Sequence, residues 1–272
     1  MPFVFVIQTA VIFTVTYKSF LKKTRHAGLP LAGIKRFKKN KAMANYSSGG
    51  LGSIPPIVKT LLIINIAAFI AQNAIPGLTG WGALHYWTSD LFKPHQLVTM
   101  MFLHGGFSHI LFNMLVLWMF GSILENFWGS KRFLNFYMVC GIGASVITLL
   151  SVPFTAAQYA KTAEALTDGY TIPQIIEGYK QGYSALGASG ALMGVMAAFA
   201  YLFPNTELYI MFIPIPVKAK YVIPGFILID LFSGLGYGIS GDNVAHFAHL
   251  GGALIGLLIV IFWNKTNRKT FY

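Results

Sequence analysis

Six apolar segments recur along this chain, at approximately Ile57–Ile75, His109–Glu125, Phe133–Pro153, Leu186–Phe203, Tyr221–Tyr237 and Val244–Trp263. Each approaches the roughly 20 residues that a helix needs to cross the hydrocarbon core of a bilayer. Composition points the same way. Only 10% of the residues are charged and 55% are hydrophobic, whereas soluble domains carry about 25% charged residues. The expected fold class is an all-α polytopic membrane protein, a bundle of six transmembrane helices over residues 57–263.

The net charge of +12 is unevenly placed. Lys18, Lys22, Lys23, Arg25, Lys35, Arg36, Lys38, Lys39 and Lys41 form one block before the first span. No aromatic or Gly-rich nucleic-acid module follows it, so the expected neighbour is anionic membrane lipid and not nucleic acid. With this block in the cytoplasm, the inner loops hold Lys131 with Arg132 and Lys218 with Lys220, and the basic tail 264–272 holds Lys265, Arg268 and Lys269. The outer loops hold Lys93, Lys161 and Lys180 beside Asp90, Glu164, Asp168, Glu177 and Asp242. This asymmetry predicts a multi-pass protein of the bacterial cytoplasmic (inner) membrane, with both ends of the core inside. Cys140, the only cysteine, lies in an apolar run and reads as packing.

Outside the core, residues 1–42 form a basic N-terminal extension. Its apolar stretch Phe3–Tyr17 is short for a span, and no basic segment precedes it as in a signal peptide. Two readings stay open: a seventh, N-terminal helix, or an upstream start, since Met43 would begin a chain containing all six spans. Residues 43–56, rich in Ser, Gly and Pro, read as a linker. Phe154–Tyr183 reads as a solvated outer loop in which Thr162–Leu166 forms a helical turn or two. The first outer loop, Pro76–Phe107, carries Trp81, Tyr86 and Trp87 and is expected to lie partly in the headgroup layer.

The parity of the spans places chemistry in one layer. Spans two, four and six all run from outside to inside, and they begin near His109, Ser189 and His249. A serine is a weak nucleophile until a base removes its proton, and that base must approach within about 2.6–3.2 Å. Gly190 and Gly194 form a GxxxG after the serine, and Gly252 and Gly256 form another after His249. Small residues at this spacing let membrane helices approach closely. His249, Gly252 and Gly256 share one helix face. Spans four and six are therefore expected to pack glycine to glycine, with the serine facing the histidine above the contact. His109 and Asn113 also share a face. They read either as two donors for a developing oxyanion or as a polar pair joining helices, each bond then worth roughly 0.6 kcal/mol.

Together these residues resemble the rhomboid intramembrane serine proteases across Ile57 to Trp263. Gly187-Ala-Ser-Gly190 is similar to the family's GxSG motif, and Ala248-His-Leu-Gly-Gly-Ala-Leu-Ile-Gly256 to its AHxxGxxxG motif. His104-Gly-Gly-Phe-Ser-His109-Ile-Leu-Phe-Asn113 resembles its second-helix signature. The resemblance implies Ser189 as nucleophile and His249 as general base in a dyad without a carboxylate. It also implies an oxyanion hole of His109, Asn113 and the Ser189 N–H, with Gly187, Gly190, Met193, His104 and His246 in support. Asp242 lies too far from His249 along the helix, and Asp230, inside span five, is expected to make a structural hydrogen bond. Two positions depart from the family pattern. Phe92-Lys-Pro-His95-Gln96 stands where many members have Trp-Arg, and Met193 stands where many have an aromatic.

What the resemblance implies is cleavage of transmembrane segments in single-span or polytopic membrane proteins, through an acyl-enzyme and without a cofactor. The Gly-rich run Ser233–Asn243 is the expected lid, and span five the expected lateral gate. The alternative is a non-catalytic rhomboid-like protein that binds membrane helices, whose mark would be loss of the Ser or His. A metal enzyme or transporter built on His104, His109, His246 and His249 lacks both an HExxH pattern and acidic ligands at these positions.

Overall fold

The computed structural model describes residues 54–163, 169–210, 213–237 and 244–266. The expectations for residues 1–42, for most of the linker, for Glu164–Leu166, for the second half of the Gly-rich run and for the end of the tail lie outside the described residues.

Among the described residues, six helices follow the six apolar segments. They are α1 (Pro56–Ala74), α2 (Phe107–Trp128), α3 (Ser130–Ala163), α5 (Ser189–Leu202), α6 (Ala219–Phe232) and α7 (Val244–Thr266), with a further helix, α4 (Ile172–Gly182), between α3 and α5. Four of them, α1, α2, α3 and α7, are long and apolar enough to cross a bilayer unaided. Their outward faces carry Ile63, Ile66, Ile70, Leu150, Leu258 and Phe262, all well exposed. Large apolar faces of this kind need lipid around them. The protein is an integral membrane protein with a helical membrane core.

The boundaries differ from expectation in three places. Span three does not end at Pro153: α3 is a 34-residue helix that carries Pro153 in its interior. The stretch read as solvated loop contains α4, opened by a capping box in which Thr171 and Gln174 satisfy each other's end groups. The helix packs on α3. The fold is also not wholly α. Leu84–His85 (β1) pairs antiparallel with Ser184–Ala185 (β2), in register Leu84↔Ala185. Glu207–Ile210 (β3) pairs with Ile213–Lys218 (β4) between α5 and α6.

Helix α5 is the axis of the bundle. Every residue from Gly190 to Phe199 is buried, so it is covered on all sides by other helices. Glycine makes this possible on the α7 side. A Cβ added at Gly252 would overlap the carbonyl oxygen of Gly190, and one at Gly256 would come within 2.6 Å of Gly194 Cα. Gly190 thus meets Gly252 and Gly194 meets Gly256, so the two helices run parallel and backbone touches backbone. On the α3 side the order reverses. Gly190 faces Ala144 and Gly194 faces Cys140, while Gly143 faces Ile255 and Gly251 faces Ile147. Helix α3 is therefore antiparallel to both, as the parity of the spans requires. Cys140 is buried packing.

The other end of the bundle is pinned by a carboxylate. Glu125, at the end of α2 and only 2% exposed, accepts the N–H groups of Ile57 at 2.9 Å and Val58 at 2.7 Å. Ser130 Oγ donates to it at 2.6 Å. The first N–H groups of a helix have no partner within it, and a carboxylate also suits the positive end of the helix dipole. Glu125 caps α1 from a distant position in the sequence. Gly129, at φ +83°, then turns α2 directly into α3.

Two predictions test this packing. Gly252→Ala should lower the thermal stability of the detergent-solubilised protein by about 1–3 kcal/mol through overpacking. Gly225→Ala, where a Cβ meets nothing within 4 Å, should leave stability unchanged or raise it by roughly 0.5–1 kcal/mol. Equal thermal shifts for the two would contradict the close contact. Glu125→Ala should cost about 1–3 kcal/mol, and faster amide exchange at the start of α1 should accompany it.

Candidate active site

Ser189 is the first residue of α5, and the helix has 14 residues. At 1.5 Å per residue it is about 21 Å long, shorter than a hydrocarbon core of about 30 Å. At least one of its ends therefore falls short of a membrane surface if the helix lies along the bilayer normal. The first backbone bond into the helix is Leu192 N–H to Ala188 O, 3.1 Å. The N–H groups of Ser189, Gly190 and Ala191 consequently have no acceptor within the helix. Span four was expected to begin at Leu186. It begins at Ser189 because Ser184–Ala185 is held as a strand and Gly187 turns the chain at φ +135°. A Cβ at Gly187 would lie 2.9 Å from Nε2 of His109. Both the backbone angle and the approach of the imidazole demand glycine there.

His109 projects from the first turn of α2 towards this point, and Asn113 lies one turn further along the same helix face. His109 Nδ1 accepts the Gly105 N–H at 3.3 Å. In a neutral ring that leaves the proton on Nε2, the nitrogen beside Gly187. Asn113 is 7% exposed, and its Nδ2 has no hydrogen-bond partner among the described residues. An unpaired buried donor costs on the order of 1–3 kcal/mol and asks for an acceptor. His104 meets His109 edge-on with ring centroids 5.1 Å apart. Its own ring nitrogens are buried without partners among the described residues. The hydrogen bonds at this residue are made by its backbone, to Gln72 of α1.

His249 lies one turn above Gly252 on the face of α7 that meets α5. A Cβ at Gly190 would come within 3.3 Å of the Ala248 carbonyl, so the backbones on which Ser189 and His249 are carried are neighbours. Among the described residues no hydrogen bond joins Ser189 Oγ to the His249 ring. Met193 is buried on α5, one turn after the serine.

The structural hydrogen bond expected of Asp230 is made, and its partners are the histidines of α7. Asp230, at 0% exposure in α6, lies against both histidines of α7. His246 Nδ1 is 2.8 Å from its Oδ1, and His249 Nδ1 is 3.3 Å from Oδ1 and 3.2 Å from Oδ2. The antiparallel crossing of α6 and α7 supplies this carboxylate.

Glutamine organises the first outer loop where the family pattern has Trp-Arg. Gln96, 1% exposed, donates to the carbonyls of Trp81 at 3.2 Å and Leu91 at 2.9 Å, and accepts the N–H groups of His85 and Lys93 at 3.2 Å each. His95 stacks on Trp81 at 4.3 Å. This loop holds the strand that leads into Ser189 through β1–β2 and through the Gly187 N–H, which donates to Met100 O at 2.9 Å. Sequence reasoning missed Gln72 and Gln96. The one available signal was amide side chains at membrane depth, where polar groups need partners.

The Rhomboid domain family model matches residues 91–265. Rhomboid protein 1, mitochondrial, of Saccharomyces cerevisiae is 30% identical over 64% of this chain and 43% of its own length. Rhomboid protease AarA of Providencia stuartii is 28% identical over 84% of this chain and 78% of its own. Rhomboid protease GluP of Bacillus subtilis is 26% identical over 59% of this chain and 24% of its own. The chain thus spans less than half of the yeast and Bacillus proteins and most of the Providencia one. With a helical membrane core, and a family match that runs from the first outer loop to the end of α7, the chain belongs to the rhomboid family.

Proposed function

We propose that this protein is an intramembrane serine endopeptidase that cuts transmembrane segments of single-span or polytopic membrane proteins. The observation that carries the reading is the convergence at the top of α5. A serine heads a helix with free N–H groups, a histidine stands on the helix that touches it glycine to glycine, and Asn113 Nδ2 is a buried donor with no acceptor among the described residues. In the reaction, Ser189 Oγ attacks the peptide carbonyl as its proton passes to His249 Nε2. The oxyanion is received by the Ser189 N–H, Asn113 Nδ2 and His109 Nε2–H. His249 returns the proton to the leaving amine, and water then hydrolyses the acyl-enzyme. Catalytic hydrogen bonds commonly tighten only once substrate is bound, so the Ser189–His249 bond forms as the substrate segment enters.

The charge distribution supports an orientation with both ends of the core inside and the site towards the outer leaflet, and a bacterial cytoplasmic membrane is the location proposed. The lid and gate assigned to Ser233–Asn243 and to α6 belong to this reading. Of the lid, Ser233–Tyr237 is a π-helical turn that prolongs α6.

Fluorophosphonate labelling of the purified protein should be strong in wild type and absent in Ser189→Ala. Reconstituted with single-span substrates, Ser189→Ala and His249→Ala should each lose nearly all turnover, because catalytic groups act as a unit. Equal labelling of wild type and Ser189→Ala would favour instead a non-catalytic protein that binds membrane helices. Asn113→Ala should lower kcat by about 10²–10³-fold with little change in KM, a split that the loss of a merely structural bond would not produce.

A further inference from the structure

The buried carboxylate of Asp230 has no place in a two-residue mechanism. We propose that Asp230 is a positioning residue for His249, so that the site works as an array of Ser189, His249 and Asp230 whose third member comes from α6. The inference rests on the reading of Ser189 and His249 given above.

Geometry carries it. The Asp230 carboxylate lies 3.2–3.3 Å from His249 Nδ1 through both of its oxygens. A carboxylate only accepts when ionised, so Nδ1 must carry the proton. In the neutral ring Nε2 then holds the lone pair, and Nε2 is the nitrogen that must take the serine proton. His246 supplies the second donor, at 2.8 Å from Oδ1. That shorter bond fixes the carboxylate, and the carboxylate in turn fixes the catalytic ring. An ionised group buried away from water is retained only where it is paired and hydrogen-bonded, and these two N–H groups are its pairing.

The electron and proton accounting is simple. When the Ser189 Oγ–C bond forms, the Oγ proton moves to Nε2, and the carbonyl π pair moves to the oxyanion. The imidazolium so formed keeps its Nδ1 proton, facing the carboxylate that stabilises it, and Asp230 is not itself protonated. The Nε2 proton leaves with the amine, and the ring returns to its starting tautomer. Because Asp230 is on α6 and His249 on α7, the orientation of the base depends on α6 staying packed against α7.

The alternative is that Asp230 only ties α6 to α7 through His246. Three measurements on the full-length protein in detergent separate the two. First, ¹⁵N NMR of the histidine rings in wild type should show His249 protonated at Nδ1 and bare at Nε2; the opposite tautomer overturns the proposal without any variant. Second, Asp230→Asn should lower kcat by about 10²–10⁴-fold, as loss of the carboxylate does in serine hydrolases that have one, with KM nearly unchanged. Third, the His249 tautomer should invert in Asp230→Asn, while His246→Asn, which loosens the carboxylate but leaves it facing His249, should keep the wild-type tautomer and lose less of kcat than Asp230→Asn does. An Asp230→Asn enzyme with wild-type kcat and tautomer overturns the inference, as does a His246→Asn enzyme as damaged as Asp230→Asn. Ser189→Ala and His249→Ala are run alongside. If either stays active, the reading of the site itself has failed; if both are dead while Asp230→Asn is normal, only the role of Asp230 has.

Discussion

The contact between α5 and α7 is the constraint from which the rest of the arrangement follows. Two helices in lipid gain little from burying apolar surface against each other, because the tails outside are as apolar as the side chains inside. They associate through close van der Waals packing, and that requires small residues where they cross. Gly190 against Gly252 and Gly194 against Gly256 leave no room for a single Cβ. The spacing fixes rotation and register together. Once those pairs meet, Ser189 must stand beside the turn that carries His249. Helix α3 closes the third side with residues hardly larger, Cys140 and Ala144.

A 14-residue helix in the middle of such a bundle creates a polar problem at its upper end. Backbone groups at membrane depth need partners, yet the first N–H groups of α5 have none within the helix. Short pairings and amide side chains fill the layer above: the β1–β2 bridge, the Gly187–Met100 bond, Gln96 in the first outer loop and Gln72 on α1. Among the described residues, Asn113 Nδ2 and both ring nitrogens of His104 remain buried without partners.

The parts of this arrangement legible in the sequence are those encoded by local spacing. The glycine pairs, the shared face of His109 with Asn113 and the antiparallel course of α3 against α5 and α7 all follow from positions within one helix or from parity. What escaped depends on partners brought from elsewhere in the chain. Glu125 caps α1 through Ile57, 68 residues before it, and Gln96 bonds to atoms on both sides of a loop whose path no pattern reveals. Helix α4 was an avoidable miss, since Thr171 and Gln174 spell a capping box. Asp230 shows the limit most plainly. Spacing shows that Asp242 is out of reach of His249 and that Asp230 needs a hydrogen-bond partner, but that the partner is the His249 ring follows only from the antiparallel crossing of α6 and α7.

The crossing also explains why two histidines, and not one, face that carboxylate. His246 and His249 are three residues apart, so both point from the same side of α7 towards α6. A lone histidine against an ionised carboxylate at 0% exposure would leave one oxygen with a single long bond and the charge poorly compensated. With His246 at 2.8 Å on Oδ1, the carboxylate keeps a short bond of its own, and His249 can share both oxygens at 3.2–3.3 Å. A longer, shared bond holds the ring's tautomer without locking the ring tightly, which leaves it free to close on Ser189 when a substrate carbonyl is in place. The second histidine thus offsets part of the desolvation cost of keeping a carboxylate there.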